Sequence, residues 1–230
     1  MEGSRIKAVE GVAELNRTSL RRVPKQDRSR ERIDEILKVA MELIGKKGID
    51  AVTMKEIASL SGGPIASVYQ YFPNKSAIIA TLYDRYLSQV KSLLARGLEG
   101  VHTPADVGRA AEALLDVYSL FVHSNPSIQD LVNAIQADKM LADMDVAATR
   151  EIAAAFCQAT EHFVEESLRE RYRCTAFMMC HLTVSVVRLL LKVSPEEGQR
   201  IVRDFKASIS AQVSAFIDVN ATAPEQRIAV

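Results

Sequence analysis

The chain has 230 residues, which allows one or two domains and a sizeable core. Its apolar share of 48% excludes a disordered protein, and its net charge of zero indicates no partner by itself. The charge is uneven, because residues 1–75 hold 14 Lys and Arg against 10 Asp and Glu, whereas residues 76–230 hold 15 against 19. A basic N-terminal part favours a polyanionic partner such as nucleic acid, with a solvated tail as the alternative explanation.

The cysteines and the apolar segments bear on the cellular compartment. The cysteines are Cys157, Cys174 and Cys180. An odd, sparse set without a paired framework is typical of a reducing compartment, and the first thirty residues lack the apolar segment of a secretory signal. The most apolar run, Ala176 to Val193, contains His181 and Arg188, which are costly in the middle of a membrane span. We therefore predict a cytoplasmic protein without a membrane partner, in which this run is a buried helix.

The N-terminal third of the chain shows the pattern of an arm followed by short helices. Residues 1–27 have little periodicity and predict a flexible basic arm. From Ser29 the apolar residues recur at helical spacing, which predicts a first helix ending by Gly48. Thr53, with Glu56 three residues later, matches a capping box, so a second helix is expected to begin there.

A turn and a third helix follow. The pair Gly62 and Gly63 predicts a turn, and Pro64 favours the first position of the next helix, where its missing N–H has no intrahelical partner anyway. Val68 and Phe72, four residues apart, are predicted to form the inward face of this helix. Two short helices joined by a turn outline a helix-turn-helix, which lays its second helix in the DNA major groove.

The predicted outer face of the third helix carries side chains that suit contacts with DNA. Gln70 can pair bidentately with adenine, and Ser67 can bond a base or a phosphate. Ile65 and Ala66 have the size to touch a thymine methyl group. The candidates for phosphate contacts are Tyr69, Tyr71, Thr53, Lys55, Lys75, Arg28 and Arg30. A plain three-helix packing unit with surface tyrosines is the alternative explanation of this region.

These residues also carry a family resemblance. Thr53, Ile57-Ala58, Gly62, the run Ser67-Val68-Tyr69-Gln70-Tyr71-Phe72 and the pair Asn74-Lys75 closely resemble the signature of the TetR-type (tetracycline-repressor-like) transcriptional regulators. The resemblance covers about residues 20–90, including the basic segment before the first helix. It implies a homodimeric, usually repressing regulator that binds a double-stranded, palindromic DNA operator and is released by a small molecule.

The resemblance also implies roles for single residues. Positions that match Thr53, Tyr69, Tyr71 and Lys75 commonly touch phosphates in the family, and those that match residues 65–67 and Gln70 commonly touch bases. Two positions depart from the family pattern. Gly63 stands where an apolar residue is usual, and Pro64 stands where a capping serine is usual. We expect a looser turn at this point.

Beyond the motif the chain shows helical patterns and no strand alternation. Asn74 is predicted to cap a long fourth helix that Gly97 and Gly100 end. Further helices are predicted over 103–124, 127–137, 143–169, 173–193 and 194–219. The predicted fold is therefore all-α, with an arm (1–27), a helix-turn-helix DNA-binding domain (28–74), a larger helical ligand-binding and dimerisation domain (75–219) and a tail (220–230).

The apolar run 176–193 also bears on assembly. A helix that is apolar on nearly every side must be buried on nearly every side, so we expect one face to meet its own core and another to meet a second subunit. The predicted dimer interface comprises Val184, Val187, Leu191, Phe205, Ile209 and Phe216. A two-fold dimer would set two recognition helices about 34–36 Å apart, or a multiple of that distance. A monomeric core is the alternative explanation.

A ligand pocket and an active site are the remaining questions. Aromatic and methionine side chains line apolar cavities, and the candidates for a largely apolar effector are Tyr118, Phe121, Phe156, Phe163, Phe177, Met178 and His181. Ordinary core packing is the alternative explanation for these side chains. The sequence contains no metal-ligand spacing, nucleophile motif or phosphate-binding loop, so we predict no cofactor, no metal and no enzyme. An all-helical enzyme or a protein-interaction module without DNA binding stays the alternative function.

Overall fold

A computed structural model describes residues 27–135 and 139–218, and these ranges contain helices but no strand. The helices are α1 (Asp27–Lys47), α2 (Met54–Leu60), α3 (Ile65–Tyr69), α4 (Lys75–Leu98), α5 (Pro104–His123), α6 (Pro126–Ile135), α7 (Lys139–Thr160), α8 (Arg169–Leu190) and α9 (Pro195–Ser214). Two single-turn 3-10 helices, Glu161–Phe163 and Glu166–Leu168, follow α7. The all-α prediction is confirmed. The predicted arm and tail lie outside the described residues, apart from Asp27.

The described residues group into two compact units. The first unit contains residues up to 88 together with 125–147, and the second contains 89–124 together with the residues from 148 onward. The boundaries between units fall inside α4 and inside α7 as well as between α5 and α6. The predicted functional boundaries at 28–74 and 75–219 stay a prediction.

In the first unit, α1, α2 and α3 pack around completely buried apolar side chains. Ile36 of α1, Ile57 of α2 and Val68 of α3 have no exposed surface, and neither has Leu131 of α6, which packs against α1. Burial of a side chain of this size stabilises the folded state by about 1.5–3 kcal/mol. Since α3 has five residues, it is too short to be stable alone, and its helical form depends on this packing.

The helix ends of the first unit follow local rules that the sequence predicts. The Thr53 hydroxyl accepts a hydrogen bond from the Glu56 N–H at 3.3 Å, and the Glu56 carboxylate accepts one from the Thr53 N–H at 3.1 Å. The predicted capping box at the start of α2 is therefore confirmed. Asn74 Oδ1 accepts from the Ala77 N–H at 2.9 Å and caps α4 as predicted. Gly48, after α1, has a φ of 77°, which favours glycine.

In the second unit, α5, α8 and α9 pack against one another. Leu115 of α5, Val187 of α8 and Ile209 of α9 are buried in this core. An ion pair also joins α9 to α5, with Lys206 Nζ at 2.5 Å from the carboxylate of Asp116. Because both side chains of the pair are partly exposed, the apolar core supplies most of the stability of this packing.

The predicted helix from Asp143 to Arg169 is wrong at its C-terminal end. The structure ends α7 at Thr160, whose hydroxyl donates to the Phe156 carbonyl at 2.8 Å and lies 2.8 Å from the hydroxyl of buried Tyr172. The chain then becomes extended at Val164, with a ψ of 134°, and this side chain is buried. Apolar periodicity cannot mark this exit, because residues 143–169 contain neither glycine nor proline and the cause is tertiary burial.

Two other predicted helix ends differ from the structure. Gly97 lies inside the last turn of α4, which continues to Leu98, rather than after it. The last helix was predicted to reach Val219, but α9 ends at Ser214 and a turn follows. The side chains of Phe216 and Ile217 in this turn are buried, so the chain leaves the helix in order to bury them.

The single chain buries one face of α8 and leaves another uncovered, which agrees with the expectation that its own core covers only one face, and the covering of the other by a second subunit stays a prediction. Of its 22 residues, all of which the structure describes, the buried ones are Tyr172, Ala176 and Val187. The helix also begins at Arg169, four residues before the predicted start. The segment Glu166–Leu190 is long and apolar enough to cross a membrane by length and composition, a test that helices of soluble proteins also pass. Much of the apolar surface of α8 is therefore exposed in one chain.

All three cysteines are free thiols in the described part of the chain. Burial raises the pKa of Cys157 to about 11 and that of Cys180 to about 12. Both thiols are therefore protonated at neutral pH, and neither has the character of a reactive thiolate.

Candidate nucleic-acid interface

Residues 53–75 contain two helices separated by a turn, as the sequence predicts, and the looser turn expected from Gly63 and Pro64 stays a prediction. Gly62 in the turn has a φ of 73°, a left-handed conformation that residues with a Cβ rarely adopt. The Gly63 N–H donates to the carbonyl of Ala58 at 3.3 Å and closes the turn. The arrangement of α2, the turn and α3 is a helix-turn-helix.

The recognition helix α3 has a buried face and an exposed face. Val68 lies in the helix and Phe72 lies just beyond its end. Neither side chain has exposed surface, which confirms the predicted anchors. The outward residues are Ile65, Ala66, Tyr69 and Gln70. Exposed fractions of 41% for Ile65 and 40% for Tyr69 are large for apolar and aromatic side chains. The exposed face thus combines apolar surface with hydrogen-bonding groups, as a surface that contacts base edges requires.

Three details of α3 differ from the prediction. Pro64 is the N-cap, with an extended backbone, and Ile65 is the first helical residue. Gln70 follows the helix as its C-cap and donates its N–H to the Ala66 carbonyl at 3.0 Å. Tyr71 is 8% exposed, so the prediction that it lies on the outer face is wrong. Because α3 ends at Tyr69, helical periodicity no longer sets the direction of the Tyr71 side chain.

Most of the other residues predicted to contact phosphate are exposed. Thr53 lies at the start of α2, Lys55 lies within α2, and Arg28 and Arg30 lie in the first turns of α1. The Glu56 carboxylate, which belongs to the same capping box, accepts a hydrogen bond from Lys47 Nζ at 2.5 Å and further bonds from Thr53. These bonds lower the pKa of the Glu56 carboxyl group. The Thr53 hydroxyl is part of this capping box, so its backbone and hydroxyl are both held in place.

Lys75 has partners within the protein. Its Nζ donates to the carbonyl of Ile49 at 2.8 Å and approaches the carbonyl of Asp50 at 3.4 Å. These bonds tie the start of α4 to the loop after α1, and the side chain is half-buried. An ammonium group has three donors, so Lys75 keeps one donor for a phosphate after both of these contacts.

Arg32 is a residue of the motif that the sequence interpretation missed. It is one of the basic residues in the N-terminal part of the chain and was given no role in the motif, yet its guanidinium bonds to Ser61 and Ser67. The sequence pattern could have indicated this contact, because Arg32 lies one turn before the buried Ile36 in α1 and therefore at the edge of the core face.

The structure divides the predicted pocket residues of the second unit into three groups. Tyr118 and Phe156 are buried, whereas Met178 and His181 are exposed on α8. Phe121, Phe163 and Phe177 are half-buried. The guanidinium of Arg150 lies 4.3 Å from the ring centroid of Phe177. Met178 and His181 therefore do not lie in the interior of the single chain, because they fall on the face of α8 that the second unit leaves uncovered.

The predicted dimer residues are also divided. The structure buries Val187, Ile209 and Phe216 within the second unit, and half-buries Val184, Leu191 and Phe205. The large apolar side chains that α8 exposes are instead Met178, Leu182 and Leu189, with exposed fractions of 46%, 40% and 47%. In a helix that is apolar on most sides, periodicity cannot tell which face meets its own core, so the predicted and observed outer faces differ.

Comparison with known proteins identifies the family to which this helix-turn-helix protein belongs. The family model described as "Bacterial regulatory proteins, tetR family" matches residues 36–82, and the one described as "Tetracyclin repressor-like, C-terminal domain" matches residues 105–217. The chain belongs to the TetR family of bacterial transcriptional regulators. Members of this family are ligand-responsive DNA-binding regulators and typically repressors.

Two curated relatives match parts of the chain. The uncharacterized HTH-type transcriptional regulator in the dhlA 5' region of Xanthobacter autotrophicus is 30% identical over 82 residues, which is 36% of this chain. The uncharacterized HTH-type transcriptional regulator YvkB of Bacillus subtilis (strain 168) is 28% identical over 106 residues, or 44% of this chain. The chain spans 38% and 56% of the lengths of these relatives, respectively.

A solved structure with a similar fold is SmeT, described as the repressor of the Stenotrophomonas maltophilia multidrug efflux pump SmeDEF. Its TM-score is 0.64 at 14% identity, over 84% of this chain and 94% of SmeT. A SmeT–triclosan complex gives a TM-score of 0.63 at 15% identity, over 85% and 96% of the two chains. At these identities the likeness shows the fold alone.

Proposed function

We propose that the chain is a ligand-responsive transcriptional repressor that binds a palindromic DNA operator as a homodimer and is released by a small molecule. The observation that carries this proposal is the two-faced α3, in which Val68 and Phe72 are completely buried while the opposite face is exposed. This geometry anchors the helix from below and leaves its outer groups for base edges. Membership of the TetR family supports the regulatory role.

The exposed face of α3 supplies the sequence-specific contacts in this proposal. Gln70 pairs with adenine, and Ile65 and Ala66 contact thymine methyl groups. The phosphate contacts come from Tyr69, Thr53, Lys55, Lys75, Arg28 and Arg30. Tyr71 is left out of this set because its side chain is buried. Ser67 is half-buried and bonded to Arg32, so its role depends on that contact.

A second copy of the chain covers α8 in the proposed dimer. Its exposed stripe, here called the α8 stripe, consists of Cys174, Met178, Leu182, Ser185 and Leu189. These residues are three or four positions apart and therefore share one side of the helix. The neighbouring α9 exposes the small residues Ala207 and Ala211, which permit close helix approach. Two copies of α8 and α9 then form a four-helix interface, and the two-fold symmetry matches a palindromic operator.

The effector in this proposal is a largely apolar small molecule bound in the second unit. Tyr118 and Phe156, with the half-buried Phe121, Phe163 and Phe177, are the candidate contacts. The SmeT complex holds triclosan, and the similar fold supports an effector of comparable apolar character here. Release follows if the effector binds better to a conformation in which the two α3 helices do not match the operator spacing. The long helix α4, which follows the motif, is the proposed connection.

The family supports a proposal for the compartment and for the class of activity. Its regulators are soluble DNA-binding proteins and are usually not enzymes. We therefore place this protein in the cytoplasm, as a binding protein without catalytic activity.

Selection from a random duplex pool tests the proposal. The purified protein is expected to enrich duplexes with two-fold symmetric half-sites, and to bind the enriched duplex at least about a thousandfold more tightly than a scrambled duplex at the same salt concentration. Recovery of unrelated sequences with equal affinity for both duplexes would contradict sequence-specific recognition. A thermal-shift screen of small molecules, followed by release of the enriched duplex, then identifies the effector class.

A further inference from the structure

Arg32 of α1 connects both helices of the helix-turn-helix through one guanidinium. Its Nη1 donates to the backbone carbonyl of Ser61, the C-cap residue of α2. Its Nη2 donates to Ser67 Oγ in α3 at 3.0 Å. Both contacts are partly buried, and hydrogen bonds from a charged donor are stronger than neutral ones. The planar fork of arginine can hold the two acceptors at once, which a lysine cannot do with the same geometry.

Gly63 leaves the space that this guanidinium occupies. A Cβ atom at position 63 would lie 2.7 Å from Arg32 Nη2 and 3.2 Å from its Cζ, and 3.1 Å from Ser67 Oγ. Gly63 is not among the glycines with positive φ, so its backbone conformation does not demand glycine. A Cβ at position 63 would therefore displace the guanidinium rather than strain the backbone.

No side chain caps the N-terminus of the recognition helix. Its N-cap Pro64 provides no side-chain hydrogen bond. Its apolar anchors, Val68 in α3 and Phe72 just beyond it, both lie on the buried side, and contacts on one side restrict rotation about the helix axis less than contacts on two sides do. The bond from Arg32 to Ser67 is such a second contact, on a different side of the helix.

We propose that Arg32 is a positioning residue for DNA recognition, and that Arg32, Gly63 and Ser67 form a clamp that sets the orientation of α3. The proposal rests on the proposed function, since it concerns how the same surface recognises its operator. Arg32 acts through Ser67 and the Ser61 carbonyl. Loss of the clamp therefore lowers the affinity for the preferred sequence more than the affinity for unrelated DNA.

The clamp also uses part of the hydrogen-bonding capacity of Ser67. A hydroxyl group has one donor and two acceptor positions, and arginine has no acceptor. With one acceptor position occupied by Arg32 Nη2, the hydroxyl keeps its O–H donor and one acceptor position. The O–H donor can bond to a DNA acceptor such as a phosphate oxygen, guanine O6, thymine O4 or a purine N7.

The test uses the full-length protein, the duplex that the wild type enriches from a random pool, and a scrambled duplex of equal length. Arg32→Ala is expected to weaken binding to the enriched duplex about tenfold more than binding to the scrambled one, the loss that corresponds to a misplaced base contact. Arg32→Lys keeps the charge and is expected to restore scrambled-duplex binding without restoring the selectivity. Full recovery of selectivity by lysine, or equal losses on both duplexes, would overturn the clamp.

Gly63→Ala displaces the guanidinium without changing Arg32. It is expected to reproduce the selectivity loss of Arg32→Ala, and to add nothing when Arg32 is already alanine. Gly100→Ala is the matched control, because a Cβ there meets nothing within 4 Å and its φ is not positive. Additive effects of Gly63→Ala and Arg32→Ala would contradict the proposed contact.

A measurement without DNA separates the clamp from the proposed function. Arg32→Ala is expected to speed amide hydrogen exchange about tenfold at Gln70, whose N–H bonds to the Ala66 carbonyl, and to leave Ile57 at the start of α2 unchanged. Unchanged exchange at Gln70 would overturn the clamp. If the wild type binds neither duplex, the proposed function fails, while the exchange measurement still decides whether Arg32 holds α3.

Discussion

At the scale of single residues, the side chains of the recognition helix α3 have different kinds of partner. Val68 is held by burial and Ser67 by Arg32. Gln70 is exposed, and its side chain has no hydrogen bond among the described residues. Because an amide that is not engaged in the protein is ready to pair with a base, Gln70 is the residue whose removal tests direct readout.

Gln70→Ala is expected to reduce discrimination between the enriched and scrambled duplexes by about 1–3 kcal/mol and to change scrambled-duplex affinity little. The reason is that the amide pairs with a base edge and contributes no charge to the phosphate backbone. Fluorescence anisotropy at one fixed salt concentration measures both affinities. Gln199→Ala, at an exposed position of α9, is the matched control. Equal losses on the two duplexes for Gln70→Ala would count against direct readout.

Lys75→Ala is expected to weaken binding to both duplexes alike and also to lower the melting temperature of the free protein. The first effect follows from a lost phosphate contact, which carries no sequence information. The second follows because the bond to the Ile49 carbonyl is lost, which costs about 1 kcal/mol. Titrations on both duplexes and thermal unfolding measure these effects, with the exposed Lys192→Ala as control. An unchanged melting temperature would show that the contact with Ile49 is not stabilising.

At the scale of helices, the starts with a side-chain cap were predictable because they depend on neighbouring residues. The caps by Thr53, Asn74 and Ser194 each bond an N–H group three residues away. The exit from α7 was not predictable, since it depends on the burial of Val164 among residues distant in sequence. The role of Arg32 was missed for the same reason, because its two partners lie 29 and 35 residues away.

The start of α5 gives a prediction about pH. The hydroxyl of Thr103 and the N–H groups of His102 and Thr103 bond to the Asp106 carboxylate and lower its pKa from 3.8 to about 2. A carboxyl group with a lowered pKa in the folded state stabilises the protein above its unfolded pKa, and this contribution is lost as the pH falls through the folded value. Asp106 therefore stabilises the fold fully above about pH 4 and loses its effect towards pH 2.

Asp106→Asn is accordingly expected to be less stable than the wild type at pH 7, and the difference is expected to shrink between about pH 4 and pH 2. Urea unfolding monitored by circular dichroism at several pH values measures the difference in free energy of unfolding. Asp143→Asn, at an exposed position of α7, is the control. A difference that stayed constant down to pH 2 would show that the charge of Asp106 is not the stabilising feature.

At the scale of the whole molecule, the sequence indicated that α8 has more apolar surface than one chain covers, but part of the interface that it predicted is buried within the chain. Val187, which was assigned to the interface, is 1% exposed in the single chain, whereas Leu182 and Leu189 of the α8 stripe are 40% and 47% exposed. The face could not be chosen from the sequence, because residues on both sides are apolar and the choice depends on where α5 and α9 pack. We therefore expect the α8 stripe, rather than Val187, to form the interface of the proposed dimer.

Leu182→Glu is expected to dissociate the dimer, because a carboxylate placed in an apolar interface loses its hydration without gaining a partner. A cost of about 3 kcal/mol or more raises the dimer dissociation constant over a hundredfold. Sedimentation velocity at micromolar concentration measures the mass. Leu120→Glu on α5 is the matched control, because Leu120 is 68% exposed and outside the α8 stripe. A Leu182→Glu protein that remained dimeric, or a Leu120→Glu protein that dissociated, would exclude the α8 stripe as the interface. A monomeric Leu182→Glu protein that binds single half-sites weakly would support it.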